Sequence, residues 1–251
     1  MSTILITGGT GKFGSVLVEF FRQKGMQVVF TSTSKKKIAA LVAEHTQSNQ
    51  SLVGVEVDFN IEGSVSYLME RLAEKDISID YLVNNARSLT SLAIEADGSV
   101  SRKNFLAEYL LDVVVPYELT MALAKLTPGS LKSVVNIGSQ YGLVAANPSL
   151  YTDHTQQSPI QYGVAKAGLV HLTKELAVRL AEQKVRVNCV AYGGVEGRVD
   201  DGFKIRYASL VPTQRMLREA EIPGPVAFLL SDASSAMTGQ VICADGGWTI
   251  W

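Results

Sequence analysis

Short apolar runs alternate with longer amphipathic ones from end to end of this chain. Ile4–Thr7, Val28–Thr31, Val53–Val57, Tyr81–Asn84, Ser133–Ile137, Val185–Ala191 and Val241–Ala244 read as strands. Between them Gly14–Lys24, Lys35–Ala43, Ser64–Lys75, Phe105–Leu126 and Ile160–Gln183 carry helical patterning, with Val16, Leu17, Phe20 and Phe21 on one face of the first. Each strand is nearly all apolar, so both faces of the sheet have to be covered. That predicts an α/β fold: one parallel sheet with helices on both faces, in a single domain over residues 1–251. An apolar share of 47% supports one large core and excludes a disordered chain. A net charge of −1 offers no bulk attraction for nucleic acid. No run approaches the ~20 apolar residues of a membrane-spanning helix. Met1–Gly8 has no basic stretch ahead of its apolar run, so a cytoplasmic protein is expected. Cys189 and Cys243 each lie in an apolar run and read as buried reduced thiols. No Cys/His spacing points to a metal.

The run Thr7-Gly8-Gly9-Thr10-Gly11-Lys12-Phe13-Gly14 falls between the first strand and the first helix. Glycines let a backbone turn sharply and approach a pyrophosphate, and the helix N-terminus then offers free N–H groups. A Rossmann-type doubly wound fold follows, with Gly8, Thr10, Gly11, Lys12, Phe13 and Gly14 as cofactor-binding candidates. NAD-binding chains of this architecture usually end the second strand with an acid that binds ribose hydroxyls. Here Phe20 to Ala43 holds no Asp or Glu, and the strand runs into Ser32-Thr33-Ser34-Lys35-Lys36-Lys37. Ser32, Thr33, Lys35 and Lys12 suit a 2′-phosphate, so NADP(H) is expected over NAD(H), which stays open. Lys35–Lys37 also read as a solvated first helical turn.

Tyr162 and Lys166 stand at i and i+4 early in a long helix, on one face. A neighbouring ammonium stabilises a phenolate whose pKa is normally about 10. The pair can therefore act as a general acid/base near neutrality. Such spacing is cheap in a chain with nine tyrosines. Context strengthens it: Ser139 follows directly on the strand Ser133–Ile137, where its hydroxyl can reach a substrate oxygen.

Ser139, Tyr162 and Lys166, downstream of a strand–glycine loop–helix unit, resemble the active site of the short-chain dehydrogenase/reductase family. The resemblance runs the length of the chain. It takes in Asp58, Asn84-Asn85-Ala86, Arg186-Val187-Asn188-Cys189-Val190 with Gly193-Gly194, and Thr238-Gly239-Gln240 with Asp245-Gly246-Gly247-Trp248. It implies that Tyr162 exchanges a proton with the substrate, that Ser139 holds the reacting oxygen, and that Lys166 binds the nicotinamide ribose. It further implies that Asp58 contacts adenine, that Asn85 and Ala86 line the adenosine side, that Val195 meets the carboxamide through its backbone, and that Phe59 and Gly193 also bind the cofactor. The reaction implied is hydride transfer between a nicotinamide cofactor and an alcohol or carbonyl. Helices such as Phe105–Leu126 and Ile160–Gln183 would pair across a dimer axis, and with the apolar C-terminus Trp248–Trp251 this implies a homotetramer or homodimer.

The pattern also departs from the family's. Lys12 takes the place of a loop glycine, Arg87 of the glycine after Asn-Asn-Ala, and Tyr192 of a proline. Aligned on Pro116, Asp112 falls where the family has a relay asparagine, and it stays a candidate in the proton relay. Twenty-three positions separate Ser139 from Tyr162, a long interval. Gly142–Pro159 and Gly193–Thr213 read as loops at the strands' carboxyl ends, so substrate loops are expected at about 140–160 and 193–213. His154 and Arg198 are the substrate candidates there, each with a plain surface reading beside it. The polar insert resembles that of bacterial oxidoreductases of surface-sugar and flagellin-glycan biosynthesis, which implies a small polar, sugar-like substrate. Two rivals remain: a dinucleotide-binding scaffold without turnover, favoured by the departures, and an epimerase or dehydratase with retained cofactor, favoured by the glycine spacing.

Overall fold

The computed structural model describes residues 1–44, 52–126, 129–197 and 199–251. Among these, seven parallel strands form one sheet: β1 (Thr3–Ile6), β2 (Gln27–Ser32), β3 (Leu52–Glu56), β4 (Tyr81–Asn84), β5 (Ser133–Ser139), β6 (Arg186–Tyr192) and β7 (Val241–Ala244). Their order is β3-β2-β1-β4-β5-β6-β7. It reverses direction between β1 and β4, and a crevice opens at the carboxyl ends of such a switch point. The helices are α1 (Lys12–Gln23), α2 (Lys35–Ala43), α3 (Ser64–Glu74), α4 (Arg102–Tyr109), α5 (Val115–Leu126), α6 (His154–Gln157), α7 (Ile160–Arg179), α8 (Asp201–Leu210) and α9 (Pro223–Leu230). No helix among the described residues is long and apolar enough to cross a membrane.

Successive strand residues face opposite sides of the sheet, and both sides are dry. Leu5, Val29, Leu82, Val134 and Val187 pack with Leu68 and Leu72 of α3, Leu119 of α5 and Leu176 of α7. Ile4, Ile6, Phe30, Val83 and Val135 pack with Leu17 and Phe21 of α1 and Val226 and Leu229 of α9. The expected doubly wound sheet is the observed one.

Several expectations need correction. The helix expected over Phe105–Leu126 is interrupted: α4 and α5 are joined by one wider π-helical turn, Leu110–Val114. Its extra residue re-aims Asp112 inward, and such turns recur at functional sites. Gly142–Pro159 is not simply loop, because Asn147 caps a 3-10 turn at Pro148–Leu150 and Asp153 caps α6. Gly193–Thr213 contains α8, capped by Asp200, whose side chain accepts from the Phe203 N–H at 2.8 Å. Asn147, Asp153 and Asp200, polar residues within segments that read as loops, are helix caps. The sequence of α9, PGPVAFLL, is apolar all round and has no helical period, so patterning alone does not mark it as a helix. Cys189 is buried as expected, whereas Cys243 is exposed. At the C-terminus Trp248 is buried, and Ile250 and Trp251 are exposed.

Candidate active site

The loop after β1 is built around two backbone approaches. Gly8 has φ +67°, and a Cβ there would lie 2.9 Å from Ala86 Cα. A Cβ on Gly14 would lie 2.2 Å from the Gly8 carbonyl oxygen, so α1 descends directly onto the loop. The N-cap of α1 is Gly11, with no side-chain cap and no acid in the first turn. The free N–H groups and positive end of α1 therefore face the cleft, a fit for a pyrophosphate.

That cleft has a volume of about 890 Å³. Gly8, Thr10, Gly11 and Phe13 of the glycine loop line it, as do Ser32, Thr33, Asp58 and Phe59 beyond β2 and β3. Asn85 and Ala86 after β4, and Gly193 and Val195 after β6, complete this half. Thr7 ties the loop to Asn85: its hydroxyl accepts from the N–H groups of Asn85 and Ala86 at 2.8 Å each, and its carbonyl accepts from Asn85 Nδ2 at 2.8 Å. The hydroxyls of Thr10 and Ser32 are 2.6 Å apart.

Four candidates stand differently from expectation, and a fifth is not described. Lys12 does line the cleft, but its Nζ turns to the far loop, donating to the carbonyls of Val195 (3.3 Å) and Glu196, with Glu219 Oε1 at 3.6 Å. It does not stand free beside Ser32 and Thr33. Lys35 lies on the exposed first turn of α2, and Lys37, two residues further along that turn, is the lysine that reaches the cleft. Gly14 packs α1 on the loop and lines nothing. His154 packs behind Tyr151, ring centroids 5.6 Å apart, while Tyr151 and Gln157 line the cleft. Arg198 lies outside the described residues.

The catalytic candidates converge. Ser139 ends β5 and lines the cleft together with Tyr162 and Lys166 of α7. Lys166 Nζ is 5.7 Å from the Tyr162 ring centroid. It donates to Asp112 Oδ1 at 2.8 Å and to the Ile137 carbonyl at 3.0 Å. Two of the ammonium's three donors are thereby fixed, leaving the third for the cleft. Lys166 and Asp112 are 6% and 2% exposed. Burial alone would lower the lysine's pKa, but the Asp112 and Tyr162 charges outweigh it and the net direction is up. So Asp112, costly if buried alone, is paired with Lys166. Behind the pair is a cavity of about 10 Å³ lined by Asp112, Asn84 and Thr7, near the size of one water. Asp112 Oδ2 and Asn84 Oδ1 have no hydrogen-bond partner among the described residues.

Two features were not foreseen. One turn before Asp112, Glu108 is buried and bonds Ser91 Oγ. Burial pushes its carboxyl up, the Ser91 bond opposes this, and Asp112 adds to the rise. The second is an aromatic wall in the other half of the cleft. The Tyr141 and Tyr151 hydroxyls are 2.8 Å apart, Tyr151 meets Phe203 at 6.0 Å, and Tyr207 stacks on Trp248 at 4.8 Å. Burial pushes Tyr141 and Tyr151 up, and Tyr207 to about 12, so these phenols stay protonated hydrogen-bonding groups. Tyr162 stands edge-on to Tyr141 at 6.5 Å and belongs to both halves.

Comparison with known proteins gives the same picture. The family model described as Enoyl-(Acyl carrier protein) reductase matches residues 13–249. An uncharacterized short-chain type dehydrogenase/reductase, y4vI, from Sinorhizobium fredii is 31% identical over 98% of this chain, which spans 43% of that longer protein. The 3-oxoacyl-[acyl-carrier-protein] reductase FabG of Aquifex aeolicus is 31% identical, covering 97% of this chain and 95% of its own. Post-translational flagellin modification protein A of Campylobacter coli is 26% identical, covering 98% and 97%. A short-chain dehydrogenase from Leptospira borgpetersenii with bound NAD+ superposes with a TM-score of 0.84 at 27% identity, covering 99% of this chain and 92% of that one. Matched over nearly its whole length in sequence and in structure, the chain belongs to the short-chain dehydrogenase/reductase family.

Proposed function

We propose that the chain is an NADP(H)-preferring oxidoreductase that interconverts a hydroxyl and a carbonyl on a small polar, sugar-like substrate, with Tyr162 as general acid/base. The observation that carries this reading is the meeting of Ser139, Tyr162 and Lys166 in a cleft that also holds the uncapped N-terminus of α1. The bound nicotinamide would supply or accept the hydride. In the reducing direction Tyr162 gives its phenolic proton to the carbonyl oxygen, while the Ser139 hydroxyl donates a hydrogen bond to the same oxygen and orients it. Lys166 holds a positive charge beside the phenolate left behind, and the Asp112 carboxylate and Ile137 carbonyl keep that ammonium in place. Oxidation runs these steps backwards.

The lean towards NADP(H) rests on Ser32 at the end of β2 and on Thr33 and Lys37 beyond it, in a stretch, Phe20 to Ala43, whose sequence holds no Asp or Glu. The sugar-like substrate rests on the hydroxyl-bearing wall and on the similarity to the flagellin modification protein. Homodimer or homotetramer formation fits α4, which buries Glu108 while Leu106 and Tyr109 are exposed, with Tyr117, Val164 and Val178 exposed on α5 and α7. The reading puts the reaction in the cytoplasm, where a free thiol such as Cys189 persists.

One observation favours the scaffold reading: Lys12 ties the glycine loop to Val195 and Glu196 across the cleft. The test follows oxidation of NADPH and NADH with keto-sugars, 3-oxoacyl thioesters and steroid ketones, with Tyr162→Phe as control. Turnover of polar carbonyls that Tyr162→Phe abolishes is expected. Turnover of acyl or steroid carbonyls alone overturns the substrate class, and dinucleotide binding without any turnover favours the scaffold.

A further inference from the structure

Arg87 replaces the glycine that the family's pattern places after Asn-Asn-Ala. The two preceding residues are pinned to Thr7 by three hydrogen bonds of 2.8 Å, which fixes where this side chain leaves the backbone. Its guanidinium carbon lies 4.5 Å from the centroid of the Tyr162 ring, within reach of a cation–π interaction. Arg87 is exposed and lines the cleft.

The other cations of the cleft differ from it. Lys166 is paired with Asp112, and Lys12 is held by two carbonyls with Glu219 beside it. Lys37 belongs to the β2 end, away from the catalytic tyrosine. Among the described residues no carboxylate lies within ion-pair distance of Arg87. Among the described residues Asp58 is the one carboxylate lining the cleft, and its Oδ1 accepts from the backbone and side-chain N–H groups of Asn60 at 2.9 and 2.8 Å. A guanidinium steered over a ring keeps its in-plane N–H fork free, and that fork matches a carboxylate or phosphate in two parallel bonds.

We propose that Arg87 is a specificity-determining residue that binds an anionic oxygen group, carboxylate or phosphate, on the substrate and holds it beside the carbonyl that Tyr162 protonates. This deepens the oxidoreductase reading and rests on it. The substrate is then a polar hydroxy or oxo acid, or a phosphorylated counterpart, and a neutral sugar of the same shape is a poor one. The aromatic wall of Tyr141, Tyr151 and Phe203 covers the uncharged part of such a molecule.

Calorimetric titration with malonate and with inorganic phosphate tests this, on wild type, Arg87→Gln and Arg87→Lys, each with and without saturating NADPH. Hydrogen bonds to charged groups are worth about 1.5–3 kcal/mol, roughly a tenfold change in affinity or more. At least one anion is expected to bind wild type, about tenfold more weakly to Arg87→Gln and with partial recovery in Arg87→Lys, while NADPH affinity is unchanged. Binding of malonate alone identifies a carboxylate and of phosphate alone a phosphate; either supports the proposal. Equal anion affinity in wild type and Arg87→Gln overturns it, as does the absence of anion binding to wild type. A variant that loses NADPH instead of the anion assigns Arg87 to the cofactor and also overturns it. Failure of wild type to bind NADPH removes the oxidoreductase reading, and the titrations without dinucleotide still decide the role of Arg87.

Discussion

The glycine-loop half of the cleft is assembled from strand ends and the turns that follow them: Gly8–Phe13 after β1, Ser32–Thr33 after β2, Asp58–Phe59 after β3 and Asn85–Ala86 after β4. The aromatic half is assembled from Tyr141, Tyr151, Phe203, Tyr207 and Met216, which reach one another only through the fold, with Trp248 stacked behind. The first half presents backbone and so suits a ligand common to many chains of this architecture. The second presents side chains on α8 and on capped turns, where exchange of a residue alters the wall without moving a strand. Tyr162, edge-on to Tyr141 and covered by Arg87, is where the two meet.

Replacing the shared residue should break the comparison most. Tyr162→Phe should lower kcat by roughly 10²–10⁴-fold and leave dinucleotide affinity unchanged, as checked by steady-state rates beside calorimetry. Next is the ion pair beneath it. Asp112→Ala leaves Lys166 buried without its partner and should cost about 3–5 kcal/mol of stability in urea denaturation. Its alkaline pH dependence should also weaken. In wild type the lysine is raised, so its contribution is present below the ordinary lysine pKa and is lost only as pH rises through the higher folded value. In the variant only Tyr162 still opposes burial, so the lysine's folded value should drop and the alkaline loss of stability should shrink.

A smaller effect, confined to the aromatic half, is expected of Tyr207→Phe. The Tyr207 hydroxyl accepts from the Gly194 N–H at 2.8 Å and donates to Gln140 Oε1 at 3.2 Å. Losing both should cost about 1–3 kcal/mol and raise the substrate KM more than the dinucleotide Kd. The smallest effect is that of Glu108→Gln. Between the ordinary carboxylate pKa and the raised folded value, the folded state holds more protons than the unfolded one, so wild-type stability falls as pH rises through that window. The variant should match wild type in acid and exceed it at neutral pH, as read from denaturation midpoints across pH.

The same contrast explains what could be read from the chain alone. The glycine loop and Asn84–Ala86 are contiguous motifs at strand ends, and Tyr162 and Lys166 announce themselves by helical spacing. Ser139 is found because it closes a strand. Lys12 misled because its direction depends on Val195, Glu196 and Glu219, far along the chain. Lys35 and Lys37 are distinguished only by the exact angle of the first turn of α2. Glu108 sits on a helix whose buried and exposed faces are the reverse of the usual pattern, so periodicity points away from it. Nothing in Leu110–Val114 marks a π turn, although its wider geometry directs Asp112 onto Lys166.

The most direct test of the account is calorimetric titration of the purified protein with NADPH and, separately, NADH. The account predicts that both bind in the glycine-loop half, NADPH the more tightly, and that Lys37→Gln narrows the difference while Arg87→Gln leaves it intact. Binding of neither dinucleotide by wild type would contradict it.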